Sequence, residues 1–141
     1  MSLMSFLQSP TNQMLAGVFL LSGGMLVWPF VQRRLSSVKD INNFEATQLM
    51  NRRNAVLLDV REPKEFDGGR LPNAIHIPLS QLAGRVSELA KLTSRPIIAY
   101  CDTGRRSRMA AGTLAKAGFT EIYTLQGGIA AWKKDGLPVE K

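Results

Sequence analysis

The chain carries one cysteine, Cys101, in the stretch 97–107, which reads IIAYCDTGRRS; there an apolar run gives way to a glycine and arginines. One cysteine cannot close a disulfide within the chain. One cysteine with one histidine cannot build a zinc site of soft ligands, so no metal is expected. The thiol is either packing or a reagent. Residues 96–100 read as a buried strand and a helical pattern starts near Ser107, which puts Cys101 at a strand-to-helix turn. Between them, Cys101-Asp102-Thr103-Gly104-Arg105-Arg106 can curl so that successive N–H groups point inward at a helix N-terminus, a nest for negative charge. A thiolate there gains hydrogen bonds and a favourable dipole, and Arg105 and Arg106 add positive charge, so the thiol should be acidic. Asp102 opposes this only if its carboxylate turns inward, and its place in a tight loop points it to solvent. Ser107 reads as the helix cap.

The elements that must position this turn are short apolar runs alternating with helical patterns. Residues 43–50 suggest a first helix and 55–60 a buried strand. Residues 74–77 form a second strand closed by Pro78. Residues 81–92 read as a helix with Leu82, Val86 and Leu89 at helical spacing. The helix over 107–117 ends at Gly118; then follow a strand over 121–125, a Gly127-Gly128 turn, and a closing helix through Trp132. The pattern predicts an α/β fold with a mainly parallel central sheet covered by helices on both faces. Ligands on such a sheet bind at the carboxyl ends of the strands, which is where Cys101 falls. Asp59 and Arg61 end a neighbouring strand, where they either brace the loop or form a plain surface salt bridge. His76 sits inside a strand and reads as structural.

Charge divides the chain. All 18 Lys and Arg and all 11 Asp and Glu lie from Arg33 onward, and the net charge is +7. The basic residues are spread without a dense block, so no nucleic-acid partner is expected. In the uncharged part, residues 14–31 read MLAGVFLLSGGMLVWPFV, long enough at the rise of a helix to cross a bilayer once. A signal peptide would want basic residues before the apolar run and a small-residue cleavage site after it. A core helix would show a polar face. Neither pattern is present. The expected organisation is a short uncharged segment over 1–13, a transmembrane helix over 14–31 in contact with lipid, a basic linker over 32–37 and a globular domain over 38–141. Arg33, Arg34 and Lys39 follow the apolar run and no basic residue precedes it, so the C-terminal domain should face the cytoplasm, as a single-pass protein of a bacterial inner membrane. The cytoplasm keeps Cys101 as a thiol. Gly17, Gly23 and Gly24 leave room for a membrane protein partner.

Four landmarks in order resemble the rhodanese family: Asp59-Val60-Arg61-Glu62-Pro63 with Glu65-Phe66; Pro72-Asn73-Ala74-Ile75-His76-Ile77-Pro78; Cys101-Asp102-Thr103-Gly104-Arg105-Arg106-Ser107; and Leu125-Gln126-Gly127-Gly128-Ile129-Ala130-Ala131-Trp132. The resemblance covers about residues 38–139 and departs at Gly69-Arg70-Leu71, where the family often has Gly-His-Ile. It implies a sulfurtransferase without a cofactor. Cys101 would take the outer sulfur of a small donor such as thiosulfate, carry it as a persulfide, and pass it to a thiol or cyanide. Residues 102–107 would bind the substrate, with Arg105 and Arg106 holding the departing oxyanion, and Asp59 and Arg61 would support them. Two alternatives stand beside it. One is a membrane-tethered binding or scaffold module with little catalysis. The other is a cysteine phosphatase, whose loop is one residue longer and would put the arginine at position 107, where this chain has Ser107.

Overall fold

The computed structural model describes residues 2–35 and 38–141. The chain falls into two compact units, Met1–Leu35 and Ser36–Lys141.

The first unit holds a short helix, α1 (Leu3–Leu7), and a long one, α2 (Pro10–Leu35). Pro10 occupies the first helical position, where its missing N–H costs nothing. The segment Pro10–Val31 has 22 residues, a mean hydropathy of 1.9 and no buried part. It rises about 33 Å, enough for the hydrocarbon layer of a bilayer. The span expected over 14–31 lies inside this helix. The linker expected over 32–37 is helical as far as Leu35, and residues 36 and 37 lie outside the described residues.

The second unit is built on strands β1 (Lys39–Ile41), β2 (Val56–Asp59), β3 (Ile75–His76), β4 (Ile97–Tyr100) and β5 (Ile122–Leu125). They form one sheet in the order β1-β5-β4-β2-β3. Every pairing is parallel, so the sheet expected to be mainly parallel is wholly so. Between the strands run α3 (Asn43–Arg53), α4 (Pro63–Asp67), α5 (Leu79–Arg85) with a 3-10 segment (Val86–Leu92), α6 (Arg105–Lys116) and α7 (Gly128–Lys134). Successive residues of β4 face opposite sides. Ile97 and Ala99 pack with Leu82, Leu89 and Leu114 from α5, the 3-10 segment and α6, whereas Ile98 and Tyr100 pack with Ala46 of α3 and Ile129 and Trp132 of α7. Burial on both faces is why these strands are apolar runs rather than alternating ones. Each fully buried Leu or Ile contributes about 1.5–3 kcal/mol.

Several elements differ from the sequence reading, among them the helices α1 and α4, which it does not contain. Lys39–Ile41 is an edge strand paired with β5, where the sequence reading has no element before the helix at 43–50; only Ile41 of its three residues is buried, which leaves no apolar run to see. The helix expected over 81–92 changes at Arg85 from α to 3-10 geometry. The helix expected from Ser107 starts two residues earlier, at Arg105, because Gly104 takes φ 115° as its N-cap, a conformation open to glycine. The connections leaving β2 and β4 run in opposite directions across the sheet, toward β3 and β5, which opens a crevice between their carboxyl ends.

Candidate active site

Cys101 follows β4 directly, at that crevice, and is 1 % exposed. The N–H of Gly104 donates to its Sγ at 3.0 Å. Burial pushes the thiol up, but the N–H groups of Ser107, Gly104 and Thr103 and the Ser107 hydroxyl outweigh it, so the thiol is held below its ordinary value. The inward curl expected of the loop is therefore present. The hydrogen bonds expected to favour the thiolate are the main cause of the acidity, the opposition comes from burial, and Cys101 and Arg106 also interact through their charges. Asp102, Thr103 and Arg105 are exposed.

The curl is held from outside. The N–H groups of Ile129 and Ala130, in the first turn of α7, donate to the carbonyls of Cys101 (2.9 Å) and Asp102 (3.2 Å), turning those oxygens away from the thiol. Gly128, at φ 59°, lets α7 approach this closely: a Cβ there would overlap both carbonyl oxygens. The Gly127-Gly128 turn and the cysteine loop, 25 residues apart in sequence, are one structural device.

Ser107 does not cap the helix. It lies in the first turn of α6, fully buried; its hydroxyl donates to the Gly104 carbonyl at 2.9 Å and sits 3.8 Å from Cys101 Sγ. Rotation about its Cβ–Oγ bond can turn the proton to a thiolate instead.

Arg106 is engaged elsewhere. Its guanidinium grips Glu65 of α4 through two hydrogen bonds, 2.6 and 2.8 Å, with about a third of each side chain exposed. Arg106 holds the Glu65 carboxyl down at about 2, and Glu65 in turn raises Arg106. Cys101 and Asp102 lie within its electrostatic reach as well. Glu65 is the site residue that the sequence reading missed. The signal for its element was present: Glu62-Pro63-Lys64-Glu65 places proline at the first helical position, and the Glu62 N–H donates to the Glu65 carboxylate at 3.2 Å.

Asp59 and Arg61 are no surface salt bridge. Arg61 is 4 % exposed and Asp59 fully buried, and the guanidinium makes hydrogen bonds of 2.7–3.1 Å to both carboxylate oxygens. Arg61 also donates to the Gly69 carbonyl at 2.7 Å and lies over the Tyr100 ring, 5.8 Å from its centroid. Tyr100, raised by burial and by Asp59, accepts from the Leu71 N–H through its hydroxyl oxygen at 3.1 Å. The pair thus ties the segment after β2 to Tyr100, on the strand that carries the cysteine. His76 is structural, as read: its Nε2 donates to the Arg61 carbonyl at 2.7 Å and its ring stacks on Phe66 at 4.3 Å. Arg70, where the resembling family often has histidine, lies over the other partner of that stack, 4.3 Å from the Phe66 centroid.

Comparison with known proteins agrees with this geometry. The chain is 51 % identical over 80 residues to the uncharacterized protein YqhL of Bacillus subtilis, covering 57 % of this chain and 62 % of that one, so it spans under two thirds of that relative's length. It is 33 % identical over 95 residues to the thiosulfate sulfurtransferase GlpE of Coxiella burnetii, covering 67 % and 87 %. A crystal structure of a rhodanese-related protein from Thermoplasma volcanium superimposes with a TM-score of 0.59 at 34 % identity, covering 72 % of this chain and 97 % of that one. The Rhodanese-like domain family matches residues 43–135. That match begins at the first residue of α3 and ends one residue past α7, and on it this chain belongs to the rhodanese-like domain family.

Proposed function

We propose that the protein is a membrane-anchored sulfurtransferase that carries sulfane sulfur as a persulfide on Cys101. The observation that carries this reading is the buried Sγ with the Gly104 N–H at 3.0 Å and a thiol held below its ordinary value. The Cys101 thiolate attacks the outer sulfur of thiosulfate. A new S–S bond forms, the old one breaks, and its electron pair leaves on sulfite. A thiolate or cyanide acceptor then attacks the terminal sulfur, takes it away, and returns the electron pair to Cys101 as thiolate. The loop N–H groups of Thr103, Gly104 and Ser107 stabilise the thiolate and, one atom further out, the persulfide anion. Asp102 and the arginines of 105–106 border the substrate path. Asp59 and Arg61 are positioning residues. A relative named as a thiosulfate sulfurtransferase supports the choice of donor.

The 22-residue apolar helix supports insertion of residues 14–31 into lipid. The basic residues after it support a domain on the cytoplasmic side of a bacterial inner membrane, with a sulfur acceptor or protein partner held nearby. The test is transfer of sulfur from thiosulfate to cyanide by the full-length protein in detergent. Wild type should turn over, and Cys101→Ser should lose at least about 100-fold while keeping its fold. Equal rates in the two proteins would favour the binding-module alternative.

A further inference from the structure

The loop region carries three arginines on the first turn and a half of α6, and they are not equivalent. Arg106 is spent on Glu65. Among the described residues, neither Arg105 nor Arg108 forms an ion pair, and both are exposed. They are three apart on one helix and share a face. Helical side chains lean toward the N-terminus, and Arg108 does so here: its Nη2 lies 3.8 Å from the point where a Cβ on Gly104 would stand, and the Gly127 N–H is 4.0 Å from the same point. Gly104 is the residue whose N–H touches Cys101 Sγ. The guanidinium of Arg108 therefore lies close to Gly104, a residue of the thiol's own nest. Asp102 is the one carboxylate on the loop itself, and it is exposed.

We infer that Arg105 and Arg108 attract and orient the anionic end of the incoming sulfur donor, while Arg106, clamped by Glu65, is a positioning residue that fixes α4 against the loop. This deepens the sulfurtransferase reading, since it assigns the charge recognition of that same site. It also explains why a site with a buried thiol keeps its positive charge at the rim. An anion is drawn to the mouth by the unpaired cations, and the nest inside is left to the sulfur.

A test that involves no sulfur transfer separates this inference from the reading it rests on. The full-length protein is alkylated at Cys101 with iodoacetate, an anion, and with iodoacetamide, its neutral counterpart. The same thiolate attacks both, so the ratio of the two rates reports the field an approaching anion meets. At low ionic strength, Arg105→Gln and Arg108→Gln should each lower the ratio about threefold or more, lysine at either position should restore it, and about 1 M salt should erase the differences. Arg106→Gln combined with Glu65→Gln removes a neutral ion pair and leaves the net charge at the mouth unchanged, so this double variant should keep the ratio within about twofold. A ratio that falls in the Arg106→Gln, Glu65→Gln double variant as far as with Arg108→Gln, or that ignores Arg105→Gln and Arg108→Gln, overturns the assignment, whatever thiosulfate does.

Discussion

At Cys101, burial and hydrogen bonding compete, and the hydrogen bonds win. A thiol so poised ionises more readily than an ordinary cysteine. The rate of alkylation by iodoacetamide, measured against pH, should therefore reach half its maximum below the ordinary cysteine value of about 8.5. Ser107→Ala removes one of the groups that favour the thiolate, so its midpoint should move upward; a midpoint that stays put would mean the hydroxyl remains on the Gly104 carbonyl in the thiolate state. Glu65 offers a second titration. Its carboxyl is depressed to about 2, so the stability it contributes is complete above the ordinary carboxylate value and is lost as pH falls toward 2. Glu65→Gln should accordingly flatten part of the acid limb of a stability profile measured by urea unfolding. Both side chains of the pair are a third exposed, so screening keeps this effect small.

Between elements, the contacts that shape the loop are remote in sequence, and this decides how much of them the sequence reveals. Strands such as β2 and β4 were legible because all their residues are buried, which leaves continuous apolar runs between turn residues. The glycine of the nest and the Gly127-Gly128 turn were legible as punctuation. Their joining was not, because nothing local says that the first turn of α7 donates to the carbonyls of Cys101 and Asp102. The partner of Arg106 was hidden for the same reason: Glu65 is 41 residues away on another helix. Whether Asp59 and Arg61 lay at the surface depended on the sheet order that buries β2. Two substitutions test these couplings. Gly128→Ala forces a Cβ into two carbonyl oxygens at φ 59° and should cost about 2–4 kcal/mol in urea unfolding, with loss of the acidic thiol. Asp59→Ala strands the buried Arg61 and should cost about 3–5 kcal/mol. If Asp59→Ala leaves stability unchanged, the Gly69 carbonyl alone suffices for the guanidinium.

For the whole molecule, a helix that is apolar and uncharged up to Gln32 and a basic α/β domain share one short chain, and a membrane-tethered reading accommodates both. Insertion of α2 in lipid implies that the protein stays in the pellet after an alkaline carbonate wash, and that a reporter fused after Lys141 behaves as cytoplasmic; release of a shortened chain would instead show a cleaved leader. The most direct measurement of the central claim is intact mass spectrometry of the full-length protein after brief exposure to thiosulfate, with fragmentation to locate any adduct. The persulfide mechanism requires one added sulfur atom on Cys101, removed by cyanide and absent from Cys101→Ser. An unmodified Cys101 in protein whose thiol still alkylates as an acidic one would contradict it.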